Sequence, residues 1–283
     1  MTPREWFRRL RFGLDTVLSL DRLGFFIPYR YARSVTPPKR YPAIEAMFEE
    51  ALPEMASALD ALEAVAEDLT RIARDAKAPE PRWDQDWFCG LDAAMLYAQI
   101  RQHRPAHVVE IGSGHSTRFA ARAIADGGLA TRLIAIDPKP RANLAALKVE
   151  WHRATLQEAL ENSGGDLLAA LHPGDLLFVD SSHILMPGTD VELILAELLP
   201  RLPEGALVHI HDIFLPEAYP ESWAWRGYNE QAAVAALLAG GRWDILFASR
   251  FARARFDKRL REGPLGAHVD AAGPATSLWL AKR

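Results

Sequence analysis

The chain has 283 residues, 49 % hydrophobic and 25 % charged, with a formal net charge of −4. These values exclude a disordered chain and argue against a dedicated nucleic-acid binder, which is usually basic. One cysteine, Cys89, excludes an intrachain disulfide framework. No transmembrane run is present and Arg8, Arg9 and Arg11 break up any signal-peptide core, so the expected location is cytoplasmic.

At roughly 150 residues per domain the length is that of about two domains. Residues 1–40 hold nine basic and three acidic residues, a net +6 that leaves −10 for the rest. Trp6, Phe7, Leu10, Leu14, Val17 and Leu18 recur there at helical spacing. Such a stripe packs on its own domain or on a second subunit of a homo-oligomer, or it makes peripheral contact with an anionic membrane surface. Packing is the commoner outcome. Pro37, Pro38 and Pro42 punctuate the chain next. Leu52, Met55, Leu59, Leu62, Val65, Leu69 and Ile72 then follow the three- and four-residue steps of one helix face, with Pro53 near its start and Pro79 and Pro81 beyond its end. Residues 1–80 therefore read as a helical N-terminal region, and 81–283 as a second unit.

From about residue 90, helices alternate with short apolar runs. Strands are expected at 107–111 (HVVEI), 132–136 (RLIAI), 149–151, 175–179 (DLLFV), 206–210 (ALVHI), 243–248 and 277–280. Helices are expected at 91–101, 116–125, 155–161, 191–199 and 229–238. Val/Ile/Leu-rich strands separated by helices imply a parallel sheet covered on both faces. The last two strands lack a clear helix between them and fit an antiparallel hairpin at one edge.

Ligands of an open α/β sheet bind beyond the carboxyl ends of its strands. Those positions read Glu110-Ile-Gly112-Ser-Gly114-His-Ser116, then Asp137, then Asp180-Ser-Ser-His183, then His211-Asp212. Gly112 and Gly114 permit a tight turn and close approach of a ligand. Thr117 stands where a dinucleotide fingerprint has its third glycine, which disfavours a nicotinamide-dependent oxidoreductase. Glu110, two residues before the first glycine, suits an amino-bearing ligand. Asp137 suits two ribose hydroxyls, or else the N-cap of a helix opened by Pro138.

This combination resembles the class I S-adenosylmethionine-dependent methyltransferases. The strings VEIGSGHSTRFAARAI, FVDSSHILMPGTDV, VHIHDIFLPEAYP and RGYNEQ are similar to a bacterial subgroup of that family, the methyltransferase-domain-24 type. The resemblance covers about 85–283. It implies a Rossmann-like, doubly wound, seven-stranded and mostly parallel sheet with the last strand antiparallel. It also implies S-adenosyl-L-methionine as cofactor, with Glu110, Gly112 and Gly114 flanking its methionine end, Asp137 holding the ribose, and Ser116 and Thr117 at a helix N-terminus able to hold a carboxylate. An acid that many relatives place after the third strand is absent until Glu158.

In catechol-type relatives, carboxylates matching Asp180 and Asp212 bind a divalent cation with a following Asn. Position 213 is Ile213 here, so the cation is not required by the sequence, although two carboxylates and waters hold Mg²⁺. His183 and His211 offer proton removal without a metal. His211, near its strand end, is the better base candidate, and His209, deeper in the strand, reads as a core histidine. A two-His, two-Asp set also suits Zn²⁺ or Fe²⁺. The catalytic set is thus expected to be Asp180, His183, His211 and Asp212.

The segment Trp83-Asp-Gln-Asp-Trp-Phe88 reads either as a lid or as an aromatic anchor, and Trp223-Ala-Trp-Arg-Gly-Tyr228 as an aromatic wall suited to a sugar or planar acceptor. Cys89 reads as a small buried apolar residue. The function expected is O-methylation of a small-molecule or glycan acceptor with histidine-assisted deprotonation. The alternatives are a nicotinamide oxidoreductase and an inactive cofactor-binding interaction subunit. The four polar residues at the strand ends, which a scaffold would not need, disfavour the latter.

Overall fold

A computed structural model describes residues 2–88, 90–163, 171–269 and 273–283. Cys89 lies outside the described residues.

The centre is a seven-stranded sheet of β1 (His107–Ile111), β2 (Arg132–Ile136), β3 (Glu150–His152), β4 (Leu176–Val179), β5 (Leu207–Ile210), β6 (Trp243–Ala248) and β7 (Leu278–Lys282), in the order β3-β2-β1-β4-β5-β7-β6. β1 to β5 pair in parallel, and β7 runs antiparallel to both β5 and β6. β4 and β5 are buried along their whole length, as their unbroken apolar runs require. The last two strands pair antiparallel at one edge, as expected, with β7 lying between β5 and β6. The chain joining these last strands also folds into three short helices, Ser249–Arg255, Asp257–Glu262 and Gly266–Val269. Their arginine-rich sequence hides an apolar stripe. The arginines are spent on ion pairs, Arg259 with Asp60 and Glu63 (2.6 and 2.7 Å) and Arg255 with Glu49.

On the N-terminal side come α1 (Pro3–Val17), α2 (Pro42–Glu50), α3 (Leu52–Ala64), α4 (Ala66–Thr70) and α5 (Gly90–His103). The stripe from Leu52 to Ile72 is not one helix: the backbone turns at Val65. Leu69 and Ile72 remain buried across the break, because apolar spacing reports which side chains face the core and not where the hydrogen bonds stop. α3 packs on α5 and β6, and Ile44, Phe48, Met55 and Leu59 share one core with the sheet. α1 behaves differently. No described residue of 2–40 is buried, so the stripe read as packing on its own domain does not pack there.

Candidate active site

The first wall of the site is made of backbone. Gly112 closes β1 with φ +81°, a conformation that costs L-residues with a Cβ. A Cβ there would stand 1.9 Å from the Asp180 carbonyl oxygen, so a glycine lets the end of β4 close on the turn. Ser113 N–H donates to Asp137 Oδ2 (2.7 Å) and Lys139 N–H to Asp137 Oδ1 (2.6 Å). No helix follows Pro138. Asp137 therefore ties the glycine turn to the end of β2 and is not a helix cap.

α6 (His115–Asp126) starts at Gly114, whose N–H donates to Thr117 Oγ1 at 3.0 Å. Thr117 thus replaces the third glycine of a dinucleotide fingerprint with a helix-capping hydroxyl. Glu110 is fully buried and accepts from the Ser116 hydroxyl. Its second oxygen, Oε2, has no hydrogen-bond partner among the described residues. Burial pushes the Glu110 carboxyl up to about 8, against the bonds from Ser116 and Thr117.

The opposite wall is made of side chains from five segments. His211, at the end of β5, points Nδ1 at Asp180 Oδ1 (3.3 Å) and Asp212 Oδ1 (3.6 Å), and Nε2 at Asp92 Oδ2 (3.4 Å). His183 points Nδ1 at Glu230 Oε2 (2.9 Å) and Nε2 at Asp180 Oδ1 (3.3 Å) and Asp212 Oδ2 (3.5 Å). Burial works against a charge on either ring. The surrounding carboxylates overcome it, and both histidines stand well above the ordinary imidazole range. Asp180 correspondingly lies well below the carboxylate range despite burial, held there by His211 and His183. His183 and Asp212 both have left-handed backbones, φ 60° and 59°, a strain of about 1–3 kcal/mol each that such sites retain.

Between the walls lies a cavity of about 420 Å³. Gly112, Gly114, Ser116 and Asp137 line it on one side, and Asp180, His183, His211 and Asp212 on the other. Glu110 and Thr117 are not on its surface. They stand directly behind, bracing the turn and the first turn of α6. His209 is stacked between Phe178 (4.1 Å) and Trp279 (4.2 Å), in the core. Glu158 caps its own helix, α7 (Leu156–Ser163), by accepting from Thr155 N–H and Oγ1 (2.8 and 2.9 Å).

The aromatic segments divide their work. Trp83 is an anchor, its Nε1 donating to Ile72 O at 3.1 Å and its ring 5.2 Å from Phe119. Phe88 packs against His211 at 4.9 Å. Trp87 lies exposed at the cavity rim under the Arg141 guanidinium, 4.0 Å away. Trp223, Arg226 and Tyr228 wall the far side, with the Tyr228 ring 4.5 Å from His183.

Sequence reasoning missed Asp92, Glu230 and Thr276. Asp92 is a lone acid in α5, a helix otherwise buried from Gly90 to Ile100; a charge in so apolar a segment was the available signal. It accepts Thr276 and Ser277 N–H (2.8 and 3.1 Å) and holds His211 from behind. Glu230 was inside a string already singled out. Its neighbours explain the rest of that string. Asn229 clamps Leu185 through N–H and carbonyl (2.7 and 3.1 Å), and Gln231 holds Phe214 N–H at 2.9 Å and Glu217 O at 3.1 Å. RGYNEQ is thus a brace joining the loops after β4 and β5. His115 was also missed. It lies on the cavity wall, and burial, then Arg118 and Arg82, bring its ring down to about 4, so it is neutral.

A doubly wound sheet with its last strand inserted antiparallel, and a cavity across the carboxyl ends of its central strands, defines the class I methyltransferase architecture. Residues 109–213 match the model of the family described as a methyltransferase domain. No curated protein matches the chain in sequence. Among solved structures, an O-methyltransferase from Bacillus cereus in complex with SAH is 14 % identical over 86 % of this chain and 98 % of its own, with a TM-score of 0.43. Cofactor-bound Rv0187 from MTB is 19 % identical over 88 % and 99 %, with a TM-score of 0.41. The O-methyltransferase TomG from Streptomyces achromogenes, involved in tomaymycin synthesis and solved with SAM, is 18 % identical over 80 % and 88 %, with a TM-score of 0.34.

Proposed function

We propose that the protein transfers a methyl group from S-adenosylmethionine to an oxygen of a small-molecule or glycan acceptor. One observation carries this reading: a single cavity joins the glycine turn and Asp137 to the Asp180–His183–His211–Asp212 cluster. The residues fit the donor. Asp137 keeps lone pairs for ribose hydroxyls beyond the two N–H groups it accepts. Ser116 lines the cavity in the first turn of α6, where N–H groups lack intrahelical partners and bind a carboxylate. Behind that turn the buried Glu110 keeps Oε2 free for a polar partner.

The sulfonium provides the driving force, so the chain must align the acceptor oxygen and remove its proton. Asp180 is the catalytic group most open to the cavity, with 28 % of its side chain exposed. The histidines sit behind it with both ring nitrogens against carboxylates. The acceptor hydroxyl therefore meets the Asp180 carboxylate, which takes its proton, while the charged His183 and His211 rings hold that carboxylate in place within a set that titrates as a unit. His211, expected to face the reacting atoms itself, acts in this reading through Asp180. Trp223 and Tyr228 give the acceptor an aromatic wall.

A second reading rests on a specific geometry. One donor atom each from Asp180, His183 and Asp212 lie within 4.8 Å of one another. The other nitrogen of His183 is bonded to Glu230, the support a metal-ligating histidine usually has. These residues fit a divalent cation, which would supply polarisation of the acceptor hydroxyl.

Calorimetric titration with S-adenosylhomocysteine tests the first claim. Binding at micromolar Kd or tighter, about −8 kcal/mol, with no response to NADH, is expected; the reverse result overturns it. EDTA treatment then separates the two routes for the proton: activity that survives chelation supports the histidine–carboxylate route, and loss restored by Mg²⁺ supports the cation.

A further inference from the structure

Of the seventeen large apolar side chains exposed among the described residues, fifteen lie between Trp6 and Val35. They form a stripe on α1 (Trp6, Phe7, Leu10, Leu14, Val17) and continue through Leu18, Leu20, Phe25, Phe26 and Ile27. A soluble surface rarely carries so large a contiguous apolar patch without an occupant. We propose that residues 3–35 dock the protein on an anionic lipid bilayer.

Charge selects this occupant. The 40 N-terminal residues carry a net +6, and the remainder −10. Among the described residues Arg4, Arg8, Arg9, Arg22, Arg30 and Arg33 have no acidic partner, and Arg11 has Asp15 at 3.6 Å. Guanidinium groups beside exposed aliphatic and aromatic side chains suit a headgroup layer, where charges meet anionic lipid while Trp and Tyr rings sit at the interface. A second copy offering the same segment would set +6 against +6, which opposes a symmetric dimer. An anionic membrane attracts this segment and repels the acidic body, so it also orients the molecule. The segment is fastened beside the cavity wall. Tyr41 N–H donates to Pro216 O (2.8 Å) and Ala218 N–H to Lys39 O (3.0 Å), in the loop after β5 that leads to Trp223 and Tyr228.

Co-sedimentation of the full chain with vesicles tests the proposal. Partition into phosphatidylcholine–phosphatidylglycerol vesicles, weak partition into phosphatidylcholine alone, and release by salt are expected. Replacing Arg4, Arg8, Arg9 and Arg11 together by Gln lowers partition about tenfold or more, and Trp6→Ser with Phe7→Ser lowers it comparably. None of these residues is in the core, so both variants keep the parent unfolding temperature and the parent affinity for S-adenosylhomocysteine. The vesicle result is thereby independent of the methyl-transfer reading. No partition into either vesicle overturns the proposal, as does equal partition into both. A dimer in sedimentation velocity without lipid, abolished by the same variants, assigns the segment to a second copy and overturns it equally.

Discussion

The two walls of the cavity are built on different principles. The donor-side wall is one short stretch of backbone, Gly112 to Ser116, with Asp137 from the adjacent strand. The opposite wall is a set of titratable side chains from α5, the loops after β4 and β5 and the start of the helix Glu230–Ala239, joined by the Thr276 hydroxyl before β7. A backbone wall fails when its conformation is denied. A side-chain wall fails when one partner is removed and another is left buried and unpaired. On the proposed reading the first therefore governs folding and donor affinity, and the second turnover.

The sharpest separation is expected at His211. His211→Ala lowers kcat by about 10²–10⁴ and leaves S-adenosylhomocysteine affinity within a factor of a few, measured by steady-state kinetics and calorimetry on one preparation. An equal loss of both would erase the distinction between the walls. Gly112→Ala comes next. The positive φ and the 1.9 Å approach to the Asp180 carbonyl predict a loss of about 3 kcal/mol or more in denaturant unfolding. A variant of parent stability would show that β4 is free to retreat from the turn.

Asp137→Ala is expected to weaken S-adenosylhomocysteine binding by about 1–3 kcal/mol, the scale of lost charge-assisted hydrogen bonds, with little change in kcat at saturating donor. The effect that is smallest at any one step, spread over pH, concerns Glu110. Its folded pKa of about 8 lies above the ordinary carboxyl value of 4.5. The folded state then binds more protons than the unfolded state between these values, so this group lowers stability as pH rises from 4.5 to 8. The loss is at most ~1.4 kcal/mol per pH unit. Glu110→Gln should flatten that slope in thermal unfolding at a series of pH values. A steeper slope would mean that the carboxyl is ionised in the fold and that Ser116 and Thr117 outweigh its burial.

Legibility in the sequence followed the same division. Gly112, Gly114, Ser116 and Asp137 were readable because strand-to-helix turns demand particular residues at fixed offsets. Asp180, His183, His211 and Asp212 were readable as positions just past apolar runs. Their partners Asp92 and Glu230 were passed over, since each sits on a helix far away in sequence, and only Asp92, a lone acid in a buried helix, stood out locally. The three short helices before β7 went unread for a related reason: they carry arginines that pair with α2 and α3, which dilutes their apolar periodicity. α1 was the converse case, because amphipathic spacing signals an apolar face without saying what covers it.

The sequence by itself determined the alternation of strand and helix, the glycine turn, and the polar residues at the strand ends, because backbone geometry and apolar burial act over a few residues. The tertiary structure alone decided that His183 and His211 are each enclosed by carboxylates, that Asp180 is the member most open to the cavity, and that β7 slides between β5 and β6. It also decided that the N-terminal stripe stays uncovered. These depend on which distant segments the folded sheet brings within about 3.5 Å, the range over which hydrogen bonds and desolvation set the charge of a group.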